Sequence, residues 1–193
     1  MEKLNQFLFF KPYLHKISEA NFFRAVFVWF LRIVAFVQVL FLLFSSFQMW
    51  RFLSNGFQAS YFFFFLITQI LLIILTYFVI TILFSRADDI EKLPLKNDYI
   101  VIPIFVVVTK MSGEILAVFY AISGVIVACA IWIVGQMTLP IPGIWLLQGS
   151  TGFFGGLFSL IMGPVVGFIV LSIAYFAAEQ IGVLVDIARN TKK

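Results

Sequence analysis

Cysteine and histidine are nearly missing from this chain of 193 residues, each occurring once, as Cys129 and His15. A lone thiol cannot close an internal disulfide, and a lone imidazole leaves no second one for a histidine-based metal site. Charge is scarce as well, at 11% of residues, and no glycine-rich run is followed by the Lys-Ser or Lys-Thr of a phosphate-binding loop. The serines have no His or Asp partner in a nucleophilic arrangement, and the clustered His, Asp or Cys used by lipid-modifying membrane enzymes are not supplied. These shortages point away from an enzyme, and no metal or cofactor is expected.

What the chain has in excess is apolar surface. Hydrophobic residues make up 63% of it, with 26 Phe, 4 Trp and 6 Tyr, and the mean hydropathy is +1.09. A water-soluble domain cannot hide that much, and so many aromatics exclude a disordered chain. The pattern predicts an all-α, polytopic membrane protein with four transmembrane helices and cytoplasmic helical extensions.

Residues 1–21 mix Lys3, Lys11, His15 and Lys16 with Phe and Tyr, as a segment lying on lipid headgroups would. Residues 22–193 then form a single membrane domain. The first apolar run is retained as an anchor, because it shows no small-residue cleavage pattern. Its span covers about 30–50, with Arg32 at the inner boundary, and the second covers 61–84 behind an aromatic edge beginning at Tyr61. Residues 85–98 read as a solvated loop around Pro94. From Tyr99 to Val134 the chain is apolar except at a few polar positions, and 36 helical residues would reach about 54 Å, too far for one crossing. A break is therefore expected at Lys110 to Glu114, leaving a span at 113–135 and an apolar foot over 99–108 at or below the inner surface.

Residues 135–157 carry two prolines and six glycines and no charge, and are expected to be a loop dipping into the outer interface, with Gly152 to Gly156 as its flexible end. The last span covers 158–178 and meets Gly163-Pro164, a kink or helix-start signal. Residues 179–193 then continue as an amphipathic helix. An even number of spans puts both termini on one side. That side and the 85–98 loop hold Lys3, Lys11, Lys16, Arg86, Lys92, Lys96, Arg189, Lys192 and Lys193, against Arg51 alone in the opposite loops. The excess of basic residues makes that side cytoplasmic. The net charge of +4 therefore reports topology rather than affinity for nucleic acid.

Two features could carry function. Small residues recur at helical spacing on the third span, at Gly113, Ala117, Ala121, Gly124 and Ala128, and on the fourth, at Gly163, Gly167, Ala174, Ala178 and Gly182. Such stripes let backbones approach closely in lipid, either as an internal hairpin or as a pore or subunit seam. The second is a candidate charged layer of Arg32, Lys110, Glu114 and Glu179. Glu114 and Glu179 lie nearly equal distances from residue 146, which predicts similar depth, with Lys110 and Arg32 as partners. The layer could be a register device of ion pairs or the cytoplasmic mouth of an ion path.

The tract Tyr99-Ile-Val-Ile-Pro-Ile104 leading to Lys110-Met-Ser-Gly-Glu114, and the tail Glu179-Gln-Ile-Gly-Val-Leu-Val-Asp-Ile-Ala-Arg-Asn190, resemble parts of small bacterial inner-membrane proteins of no assigned activity. Those proteins share a Gly-Glu span start and a Glu followed by Asp-Ile-x-x-Asn. The resemblance implies a bacterial inner membrane and no particular reaction.

The expected function is a non-enzymatic membrane subunit, acting as anchor, sensor or scaffold. It would self-associate or join a larger inner-membrane complex, such as a defence or secretion system. Its partners would be membrane lipid and either further copies or a cytoplasmic protein, because the foot and the tail are too apolar to stand in water. The alternative is a small oligomeric channel or transporter with Glu114 and Glu179 at its cytoplasmic mouth.

Overall fold

The computed structural model describes residues 20–54, 59–93, 101–135 and 152–191. They form four helices, α1 (Ala20–Ser54), α2 (Ala59–Glu91), α3 (Val101–Val134) and α4 (Gly152–Thr191). All four are long and apolar enough to cross a membrane, and no strand occurs among the described residues. The chain is an all-α, multi-pass membrane protein. The expected surface segment at 1–21 lies almost wholly outside the described residues.

Each helix packs on the next in chain order, with the closest pairing between α3 and α4. Among the described residues no extensive contact joins α1 to α4, so the helices form a row rather than a closed ring. The main core lies where α1, α2 and α3 meet. Val28, Leu31 and Ala35 of α1 face Leu75, Val79, Leu83, Ala87 and Ile90 of α2, with Ile104 and Met111 of α3 against them. These positions recur every three or four residues, the spacing of one helix face. A second cluster of Phe64, Ile126 and Ala130 holds α2 to α3 toward the opposite ends of the helices. Large apolar side chains such as Phe36, Phe44, Phe63, Tyr77, Phe154 and Phe168 point outward, the arrangement suited to lipid.

Several element boundaries differ from the sequence expectation. Residues 85–91 belong to α2 rather than to a loop. Ala87 and Ile90 continue its buried stripe, and the helix closes at Lys92 and Leu93 just before Pro94, whose ring disfavours a helical residue ahead of it. No break occurs at Lys110 to Glu114, because α3 runs without interruption from Val101 to Val134. There the Thr109 and Ser112 hydroxyls donate to the carbonyls of Phe105 and Val108, so the polar run keeps its hydrogen bonds inside the helix. The expected apolar foot is therefore the first part of α3, and its Ile104 is buried in the main core.

Gly152 to Gly156 opens α4 instead of extending a loop, and α4 continues through Pro164 to Thr191. Gly135 closes α3 at φ 78°, its N–H donating to the Ile131 carbonyl, and Gly152 enters α4 at φ 74°. Both are left-handed conformations that glycine adopts without steric cost.

Candidate functional site

The seam between α3 and α4 is built from small residues. A Cβ added to Gly124 would lie 2.7 Å from the Ser159 carbonyl oxygen and 2.8 Å from Gly163 Cα, and one on Gly163 would lie 2.8 Å from the Tyr120 carbonyl oxygen. One on Gly167 would lie 2.6 Å from the Ala117 carbonyl oxygen, while Gly113 faces Ala174 and Leu171. Backbone meets backbone along this line, which no larger side chain allows. Ala128 and Ala178 are fully buried, Ala121 is half-buried, and Gly182 has nothing within 4 Å of its Cβ position. The two stripes therefore meet each other inside one chain over most of their length. At the far end, Trp132 lies against Gly156, stacks on the Phe153 ring, and donates its indole N–H to the Phe153 carbonyl at 3.2 Å.

These contacts also set the register. The pairs Gly124 with Gly163 and Ala117 with Gly167 centre the hairpin near residue 143, so Glu114 stands opposite about residue 172. Glu179 lies about seven residues further along α4, roughly 10 Å at the helical rise. The single layer expected of Glu114 and Glu179 is therefore two levels, because the hairpin is centred about three residues earlier than the symmetry about residue 146 implied.

The partners also differ. Glu114 is paired with Arg86 of α2 rather than with Lys110. The guanidinium grips the carboxylate as a fork, Nε donating to Oε2 at 2.9 Å and Nη2 to Oε1. Its Nη1 donates to Asp89 at 2.7 Å, and Nη2 also reaches the Tyr175 hydroxyl at 3.2 Å. Tyr175 of α4 in turn donates to Glu114 Oε1 at 2.5 Å. The Arg86 and Glu114 side chains are only 22% and 18% exposed. Bidentate geometry with further hydrogen bonds is what a desolvated ion pair needs to persist.

Lys110 lies one turn from Glu114, with its ammonium 5.3 Å from the Tyr175 ring centroid, so it supports the tyrosine by a cation–π contact. Arg32 belongs to a separate pair with Glu91, at 3.1 Å. Glu179 is exposed and makes no ion pair among the described residues.

One polar knot thus ties α2, α3 and α4 together, near the end of α2 and partway along α3 and α4. From Glu114 to Val134 is 20 residues, about 30 Å, the thickness of a hydrocarbon layer. Arg86, Asp89 and Tyr175 were not anticipated. Tyr175 carries the weakest signal, as the one tyrosine of an apolar helix. Arg86 was hidden by its reading as a loop residue.

Elsewhere, Ser46, Thr81, Ser159 and Ser172 donate to carbonyls four residues back, which satisfies hydroxyls in lipid without implying chemistry. Gln69 of α2 donates to the Ser46 hydroxyl of α1 at 2.7 Å, joining the two helices. Among the described residues, no group of three or more His, Cys, Asp or Glu is placed to hold a metal ion. Comparison with protein-family models, curated proteins and solved structures finds no match for this chain.

Proposed function

We propose that the protein is a non-enzymatic integral membrane subunit that presents the end of α4 as an assembly surface, in an oligomer of its own copies within a bacterial inner membrane. The observation that carries this reading is the length and surface of α4. Past Tyr175 the helix runs another 16 residues, about 24 Å beyond the polar knot. On that stretch Phe176, Val183, Leu184 and Ile187 are exposed, Leu184 at 65%. Apolar side chains beyond the bilayer boundary need a cover, and a repeated surface on identical subunits can provide it.

The knot suits this role. By fixing α4 to α2 and α3 at the boundary, it holds the extension at a set angle instead of leaving it to swing. Charge supports a cytoplasmic placement. Arg24, Arg32, Arg86, Lys92 and Lys110 lie at the knot end, and Arg51 lies at the other. The resemblance of the 99–114 and 179–190 tracts supports the bacterial inner membrane.

The ion-path alternative rested on two matched carboxylates at a pore mouth. Glu114 is engaged by Arg86 and Tyr175, and Glu179 stands at another level, so that motivation is weaker. Native mass spectrometry of the full chain in lipid nanodiscs tests the proposal, comparing wild type with a Leu184→Glu, Ile187→Glu variant. The expected result is an oligomer that dissociates in the variant with helical content unchanged. A wild-type protein that stays monomeric, or that conducts ions in pure-protein liposomes, overturns the reading.

A further inference from the structure

Between α1 and the end of α2 lies a cavity of about 260 Å³ lined by Arg24, Ala25, Val28, Trp29, Arg32 and Glu91. Two guanidinium groups and one carboxylate share its walls. Glu91 bridges them, its side chain accepting from Arg32 Nη2 at 3.1 Å and its backbone carbonyl accepting from Arg24 Nη1 at 3.2 Å. The contact with Arg32 uses one N–H of a five-donor fork, and the Arg32 side chain is 38% exposed.

We propose that this crevice binds a phosphate oxyanion, supplied by the headgroup of an anionic phospholipid. Two arginines held apart by a third group match the several oxygens of a phosphate, which guanidinium binds bidentately. The position selects the source. Counted from the opposite ends of α1 and α2, Arg24 and Glu91 lie 30 and 32 residues in, beyond the knot's Arg86 at 27, and Arg32 lies at 22, so the crevice spans the level of the knot, where headgroups lie. Trp29 stands exposed at the rim, the placement typical of an indole at the membrane interface. From there Ile33, Phe36 and Val37 continue along α1 as an exposed apolar surface on which an acyl chain can lie while its headgroup stays in the cavity. Basic pockets between helices on the cytoplasmic side bind lipid headgroups by this chemistry. Free inorganic phosphate shares the oxyanion but not the acyl chain.

The test is native mass spectrometry of the full chain in detergent, titrated separately with phosphatidylglycerol and phosphatidylcholine, and with phosphatidylglycerol in the presence of inorganic phosphate. Phosphatidylglycerol is expected to bind in preference to phosphatidylcholine and to resist displacement by millimolar phosphate. Arg32→Gln should weaken it about fivefold, and Arg24→Gln with Arg32→Gln further. Glu91→Gln should strengthen it, a gain that misfolding cannot imitate, and Arg51→Gln at the opposite end should change nothing. Displacement by phosphate would make free phosphate the ligand and overturn the lipid assignment. Equal binding of the two lipids, or arginine variants that bind like wild type with no gain in Glu91→Gln, would overturn the site.

Discussion

Replacing Arg86 by Met tests whether the knot is the principal polar fastening between α2, α3 and α4. Arg86 makes hydrogen bonds to Glu114, Asp89 and Tyr175, and its loss leaves Glu114 with only the Tyr175 hydroxyl from that set. Removing one partner of a fully buried pair costs about 3 to 5 kcal/mol. Some four-fifths of each side chain is covered here, and water reaches Asp89 at 43% exposure, so the lower end applies, about 3 kcal/mol. Adding Glu114→Leu removes the stranded carboxylate. The double variant should recover about 2 kcal/mol of that loss, since an apolar replacement of both partners is tolerated.

Lys110→Met should behave differently, costing about 1 kcal/mol through the Tyr175 ring, with a coupling to Glu114 well below that of Arg86. The assay is reversible unfolding in mixed micelles with increasing dodecyl sulfate, followed by circular dichroism. A stronger coupling of Glu114 to Lys110 than to Arg86, or an Arg86→Met variant as stable as wild type, would refute the reasoning.

Other consequences follow from the α3/α4 seam. Gly124→Ala and Gly163→Ala should each lose about 1 to 3 kcal/mol in the same assay, because the added methyl meets backbone that cannot step aside. Gly182→Ala has open space and should be neutral or gain up to about 1 kcal/mol; equal losses at all three positions would contradict the seam. Trp132→Phe should cost about 1 kcal/mol and speed amide exchange in the first turn of α4, since it gives up the bond to the Phe153 carbonyl. Unchanged exchange there would show that this end is held by other contacts.

The four helices were legible because long apolar runs have one stable arrangement in lipid, with backbone hydrogen bonds closed inside each helix. Their ends are less legible because charge marks a boundary only where the buried stripe also stops. Arg86, Asp88, Asp89 and Glu91 lie on a helix whose buried stripe continues through Ala87 and Ile90, and that spacing was available in the sequence. At Lys110 to Glu114 the polar residues suggested a break, whereas Met111 and Gly113 are buried and the hydroxyls bond back to their own helix.

Glu114 could be singled out as a charge near a span boundary. Its partners could not, since Arg86 is 28 residues before it and Tyr175 is 61 after it. Those pairings depend on a register fixed to a few residues by contacts such as Gly124 on Gly163. Symmetry about residue 146 puts residue 178 opposite Glu114 instead of about 172, a miss of more than one helical turn, and a shift of that size decides which side chain faces Glu114.

Under the proposed function, the polar knot and the α4 extension of this four-span protein face the cytoplasm. The most direct measurement is labelling of single cysteines by a membrane-impermeant maleimide in intact bacterial spheroplasts, using a Cys129→Ala background. Asn55→Cys, between α1 and α2, should react before permeabilisation. Asn190→Cys, near the end of α4, should react only after it. Reaction of Asn190→Cys in intact spheroplasts with Asn55→Cys protected would contradict the account.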